Sequence, residues 1–79
     1  MIRILYFGRV SEAAGASSID IDLPGGVADT GALRAWLAET VPELEDPSVR
    51  VALNHDLVTK DCAIVAGDEI AFFPPVSGG

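Results

Sequence analysis

The residues with the most distinctive chemistry close the chain: Phe72-Phe73-Pro74-Pro75-Val76-Ser77-Gly78-Gly79. Two adjacent prolines fix the backbone near polyproline II and remove two N–H donors, so Pro74 and Pro75 cannot continue a central strand. The segment is set to leave the domain. From Pro74 onward it spans on the order of 20 Å when extended, enough to enter a buried site on a partner. Gly78 and Gly79 carry no side chain, so they can pass a channel too narrow for other residues and take any backbone angle inside it. The group that arrives is the Gly79 α-carboxylate. A carboxylate becomes an acyl donor once its oxygen is a leaving group, and adenylation followed by capture by a sulfur nucleophile would yield a thiocarboxylate.

The interior offers less. Nucleophilic catalysis needs a nucleophile, a base and an orienting group, and the chain has one cysteine and one histidine. Cys62 lies beside Ala63 and Ile64 and is expected to behave as a small buried hydrophobe. His55, between Asn54 and Asp56, is expected to be a solvated turn residue. Asp20, Asp22, Glu43, Glu45, Asp46, Asp68 and Glu69 lack the spacing and central glycine of a calcium loop. Gly25-Gly26 lacks the Lys-Ser or Lys-Thr of a phosphate loop and reads as a turn. No directly bound cofactor or metal is expected.

Seventy-nine residues make one domain. A hydrophobic content of 49% fills a single core, though so short a chain buries a modest share of its surface. One cysteine excludes an internal disulfide or a cysteine-cluster metal site. A net charge of -7 with five basic residues opposes phosphate backbones and anionic lipid, so neither nucleic acid nor membrane is an expected partner. The acidity suits a basic protein partner, or simply solubility. Arg3 and Arg9 interrupt the apolar N-terminal run, which argues against a signal peptide or membrane span and for a cytoplasmic address.

Few elements are needed to position such a tail. Met1 to Phe7 predicts a central strand buried on much of both faces. Ser17 to Leu23 alternates Ile19, Ile21 and Leu23 with Asp20 and Asp22, a half-buried strand. Between them, Ser11 to Ala14 predicts a short helical turn ending at Gly15. Asp29 or Thr30 can cap a helix from about Gly31 to Val41, with Leu33, Trp36, Leu37 and Val41 packed on the sheet. Pro42 and Pro47 bracket a solvated acidic loop. Val49 to Leu53 and Leu57 to Val58 predict a hairpin turning at Asn54-His55-Asp56. Gly67-Asp68 marks another turn, and Ile70 to Phe73 a last strand halted by proline. The order β-β-α-β-β-β predicts an α+β fold of the β-grasp, ubiquitin-like type. One main helix packs across one face of a mixed sheet; the first and last strands are expected to be adjacent at its centre by analogy with that fold, since periodicity reports faces and not neighbours. Residues 1–73 would form the domain and 74–79 the tail. Phe72 and Phe73 are expected to anchor a partner interface, although strand alternation allows at most one of the pair to fill the core.

The sequence resembles the small, sulfur-carrying subunit family of molybdopterin synthase over nearly its whole length. The resemblance is carried by the run from Leu5 to Glu12, by Val51-Ala52-Leu53-Asn54, and above all by the run from Gly67 to Gly79. It implies that a ubiquitin-activating-like adenylyltransferase, using ATP, adenylates Gly79 and that a sulfur-donating enzyme supplies the sulfur. The thiocarboxylate then enters the large synthase subunit, within a heterotetramer, and donates sulfur to cyclic pyranopterin monophosphate. Two carriers are used per dithiolene. The small subunit is then a sulfur donor, not a catalyst on its own. Ser11 stands where the family often has arginine, and Cys62 where a non-cysteine residue is commoner. A thiamine-type sulfur carrier, a ubiquitin-like modifier and an unmodified module docking through its tail are the alternatives.

Overall fold

The computed structural model describes residues 1–75. The first strand, β1 (Ile2–Tyr6), alternates strictly: Ile2, Ile4 and Tyr6 are buried while Arg3 and Leu5 point to the other face. This corrects the expectation of burial on both faces. Helix α1 (Arg9–Ala14) follows, and ends at Gly15 in the left-handed region, its N–H donating to the Ser11 carbonyl. That conformation favours glycine and terminates the helix within two turns. Strand β2 (Ser18–Ile21) returns antiparallel to β1, pairing Ile19 with Ile4.

Helix α2 (Thr30–Ala38) begins where Asp29 accepts a hydrogen bond from the Ala32 N–H at 2.8 Å, the capping expected of a short polar residue. It ends three residues before the predicted Val41. Pro42 disfavours helical backbone in the residue before it, and Val41 has left the helical region at φ -126°, ψ 77°. A single 3-10 turn over Pro42–Glu45 then places Leu44 in the core. Glu43, Glu45 and Asp46 stay exposed as expected, but the loop is anchored. The Arg34 guanidinium donates to the carbonyls of Leu44 and Asp46.

Trp36 departs from the predicted packing face and is 43% exposed. Thr30, Leu33, Leu37 and Ala38 are the buried residues of α2. At 3.6 residues per turn, Trp36 lies about 120° around the helix from the centre of that group.

Strands β3 (Arg50–Leu53) and β4 (Asp56–Val58) form the predicted hairpin. Its turn is two residues, with Asn54 at φ 50° and His55 at φ 75°, the backbone that matches strand twist. Asp56 belongs to β4. The final strand, β5 (Glu69–Phe73), runs parallel to β1 and antiparallel to β3. The sheet order is β2-β1-β5-β3-β4, a mixed sheet with α2 across one face: the β-grasp fold. The first and last strands are neighbours as expected, with β5 at the exact middle position of the sheet and β1 beside it. Ile4, Leu33, Leu44, Ile70 and Phe72 are fully buried at the centre of the core.

Candidate docking face and tail root

Because β1 and β5 alternate in register, the face away from α2 can be read row by row. Leu5 pairs with Ala71, Ala71 with Ala52, and Ala52 with Leu57. Phe7 and Phe73 lie beyond this row, toward the end where β5 finishes. Together these six side chains line one shallow apolar trough. Phe7 is 49% and Leu57 56% exposed. Phe73 is half-buried. No helix covers this face among the described residues. A contiguous apolar surface rimmed by polar groups marks an interaction site more often than scattered exposed residues do.

The rim is charged and paired. Arg3 Nε donates to Asp20 Oδ1 at 2.9 Å on the β1–β2 side. The bond and the charge of Arg3 hold the Asp20 carboxyl below the usual range, and Asp20 raises the Arg3 guanidinium in turn. On the β4 side His55 Nε2 lies 3.1 Å from Glu69 Oε1, with the His55 side chain 83% exposed. His55 is therefore the solvated turn residue expected. Just before β5, Asp68 accepts from the Val65 N–H at 2.9 Å and from Asn54 Nδ2 at 3.0 Å. These two bonds, the backbone one first, depress its pKa. The Asn54 bond, with the Glu69 N–H donating to Asn54 Oδ1 at 2.9 Å, ties the hairpin turn to the start of β5.

The end of β5 is fixed from two sides. The Phe7 N–H donates to the Phe72 carbonyl at 3.1 Å, one bond past the β1 ladder. Gly8, at φ 56°, lies so close to Pro74 that a Cβ there would sit 3.0 Å from Pro74 Cγ. A side chain at position 8 would meet both a strained backbone and the proline ring. Gly8 thus lets the root of the tail lie flat beside the β1–α1 corner.

The structure divides the predicted interface residues. Phe72 is fully buried and stacks on Tyr6, ring centroids 6.2 Å apart, so its side chain has no surface for a partner. Its assignment as an interface anchor is corrected; β-strand alternation sends it to the core and its neighbour Phe73 to the open face. The same burial raises the Tyr6 hydroxyl pKa. Pro74 is half-buried against Gly8 and Pro75 is exposed. Val76, Ser77, Gly78 and Gly79 lie outside the described residues. Cys62 is half-buried rather than buried. Its N–H donates to Thr30 Oγ1 at 3.0 Å and its carbonyl accepts from the Thr30 N–H, so the segment is pinned to the start of α2. Among the described residues no group of His, Cys, Asp and Glu is placed to hold a metal ion.

Sequence reasoning did not single out Leu5, Phe7, Ala52, Leu57 and Ala71 as a surface. The signal was present as two hydrophobic faces on β1 and β5 where a single helix can cover only one. Gly8 had no local signal, since its partner is 66 residues away in the chain.

A β-grasp domain whose uncovered apolar sheet face continues to the Pro74-Pro75 step at the end of its central strand is the class of protein these features define. The chain belongs to the ThiS family, whose model matches residues 4–79. It is 37% identical over 81 residues to the molybdopterin synthase sulfur carrier subunit of Escherichia coli K12, covering all of both chains. It is 35% identical to the protein of that name from Mycobacterium tuberculosis, covering 99% of this chain and 96% of the relative. Among solved structures, SAMP1 of Haloferax volcanii superposes with a TM-score of 0.77 at 31% identity, covering 99% of this chain and 98% of that one. A chain in the complex of subunits 1 and 2 of the molybdopterin-converting factor from Helicobacter pylori matches with a TM-score of 0.70 at 27% identity, covering 99% and 97%.

Proposed function

We propose that the chain is the sulfur-carrier subunit of a molybdopterin synthase, with the Gly79 carboxylate as the reacting group and Pro74 to Gly78 as its delivery arm. The observation that carries this reading is the continuity of the open apolar face with the root of the tail. A partner that covers Leu5, Phe7, Leu57 and Phe73 receives the chain terminus at a fixed edge of the same interface. Anchoring the domain beside the partner's active site raises the local concentration of the reacting carboxylate there. The similarity to named sulfur carrier subunits over the full chain supports the same reading.

The chemistry proceeds in three steps. The Gly79 carboxylate attacks the α-phosphorus of ATP in an adenylyltransferase, releasing pyrophosphate and leaving an acyl adenylate. Sulfur supplied by a donor enzyme at the sulfide level attacks the acyl carbon; the C–S bond forms, the bond from that carbon to the phosphate oxygen breaks, AMP leaves and a thiocarboxylate remains. The large synthase subunit then directs that sulfur onto the cyclic pyranopterin precursor, and two carriers supply the two sulfurs of the dithiolene. The chain contributes docking and delivery; ATP is bound by the activating partner. The complex is read as a heterotetramer in the cytoplasm. No helix among the described residues is long and apolar enough to cross a membrane.

Reconstitution tests the assignment. The thiocarboxylated chain mixed with a large synthase subunit and the pterin precursor forms molybdopterin; loading without product formation overturns the synthase role. A second reading, a protein modifier that joins Gly79 to lysines, is favoured by the 34% identity to small archaeal modifier protein 1 of Haloferax volcanii. Lysine-linked conjugates on other proteins, with no molybdopterin, would select it.

A further inference from the structure

Two titratable groups interrupt the apolar lining of the trough, and both stand at the end opposite Phe7 and Phe73. Glu69 shares the open face with Ala71 and Phe73 by strand alternation, and His55 meets it from the β3–β4 turn. His55 Nε2 lies 3.1 Å from Glu69 Oε1, and the Glu69 side chain is only 28% exposed. The turn is bolted to β5 around this contact. The Asn54 N–H donates to the Glu69 carbonyl at 2.8 Å, and the Glu69 N–H donates back to Asn54 Oδ1 at 2.9 Å. His55, the next residue, is thus delivered beside Glu69 by a fixed turn.

The nearest guanidinium is committed elsewhere. Arg3 lies opposite Glu69 on β1, but its Nε and Nη2 donate to the two oxygens of Asp20 at 2.9 and 3.4 Å. Asp68 and Asp56 flank the turn, the first bonded to Asn54 and the second next to His55 in the chain. The charged groups around His55 are therefore the carboxylates of Glu69, Asp68 and Asp56 and, beyond Glu69, one guanidinium already paired. A carboxylate only accepts hydrogen bonds, so the ring nitrogen facing Glu69 is the donor and Nδ1 is the nitrogen left to take a proton. Imidazole is the side chain suited to titrate between about pH 5 and 8.

We propose that docking on the trough is proton-linked: as a large synthase subunit covers Leu5, Leu57 and Phe73, His55 takes a proton from solvent at Nδ1, and the imidazolium neutralises Glu69 inside the interface. This rests on the carrier reading given above and adds to it the charge state of its docking face. In the free chain water screens Glu69, and a neutral His55 suffices. Under a partner the carboxylate loses that water, and a buried charge without a counterion is strongly disfavoured. His55 is the group in contact that supplies one while Arg3 stays with Asp20. The trough therefore fits a partner with an apolar patch and no cation of its own opposite Glu69. A partner lysine or arginine at that point would compete with the imidazolium and reverse the pH dependence.

Titration calorimetry of the full chain against a large synthase subunit, from about pH 5.5 to about pH 8 and in buffers of different ionisation enthalpy, reads affinity and proton uptake together. The parent should bind about tenfold more tightly at the acid end, the change that an opposite charge at this distance makes in a proton affinity, and should take up protons on binding. His55→Asn keeps a residue that tolerates the left-handed turn and should lose its share of the uptake and of the pH dependence. Titrating groups on the partner contribute equally to parent and variant and cancel in the difference. Glu69→Gln leaves no carboxylate to neutralise, so it should bind at the alkaline end as tightly as the parent does at the acid end, and should not respond to His55→Asn. A merely structural role for His55 would shift affinity equally at every pH. Equal proton uptake by parent and His55→Asn, or a proton released at His55, overturns the proposal and leaves the carrier reading standing. Binding that Leu57→Ala does not weaken removes the trough as the docking face, and a parent that binds at no pH removes the carrier reading; either takes the proposal with it.

Discussion

The two faces of the sheet are built from the same strands and the same kinds of residue, yet they do different work. On the α2 side Ile4, Ile70 and Phe72 are fully buried against Leu33 and Leu44. On the other side Leu5, Ala71 and Phe73, their immediate chain neighbours, form a trough with Phe7 and Leu57 half in solvent. Covering one face with one helix is what an isolated domain of this length can achieve. The apolar residues on the second face stay half-buried or exposed, and the proposed function has a partner cover them. Adjacent side chains on β5 thus separate stability from recognition, and substitutions at neighbouring positions should have opposite consequences.

Phe72→Ala gives the largest expected effect. It empties the centre of the core and should destabilise the fold by about 3–5 kcal/mol, read by chemical denaturation. A loss below about 1 kcal/mol would show that the core tolerates the hole and would weaken the contrast between the faces.

On the open side, Phe7→Ala and Leu57→Ala should each weaken binding to a large synthase subunit or to the adenylyltransferase by about 2 kcal/mol, measured by titration calorimetry. Each should cost less than about 1 kcal/mol in folding stability. If both variants bind as the parent does, the trough is not the docking face.

Gly8→Val should come next, at about 1–3 kcal/mol, because it combines a positive-φ backbone with a clash against Pro74. The sharper reading is in transfer: with the terminus redirected, sulfur delivery should fall by more than partner affinity does. Equal losses in both would reduce Gly8 to a structural residue.

The smallest effect is in pH. Asp68 has a pKa lowered below the ordinary 3.8 by the Val65 N–H and then by Asn54. A carboxyl with a depressed folded-state value binds fewer protons folded than unfolded, so its contribution is present above the unfolded value and is lost as pH falls through the folded one. Melting temperature followed from about pH 5 to pH 2 should drop, and Asp68→Asn should flatten part of that drop. An unchanged slope in the variant would assign the acid sensitivity to Asp20 and Asp46, whose pKa values are lowered by Arg3 and by Ser48 respectively.

The elements were legible because each carries a local signal. The alternation of β2, the Asp29 cap and the proline stop after Phe73 all act within a few residues, and the structure places each element within a few residues of its predicted span. The clearest departures, Trp36 and the one-sided burial of β1, come from residues whose environment is set at a distance. Trp36 sits at helical spacing from Leu33, but the width of the buried stripe is decided by which strands lie beneath α2. The burial of β1 on one face only, and with it the role of Phe7, depends on how many elements exist to cover the sheet. The Gly8–Pro74 contact joins opposite ends of the chain and leaves no trace in either neighbourhood. The proposed delivery arm rests on backbone properties of Pro74, Pro75, Gly78 and Gly79 that need no tertiary context; the last four residues of the chain lie outside the described ones.

The central claim concerns one atom group, and intact mass tests it. After incubation with an adenylyltransferase, ATP and a sulfur source, the chain should gain the mass of one oxygen-to-sulfur exchange, localised to Gly79. A variant extended by one residue past Gly79 should gain nothing. An unchanged mass with active partner enzymes, or the same gain in the extended variant, would contradict the assignment of the terminal carboxylate as the sulfur-bearing group.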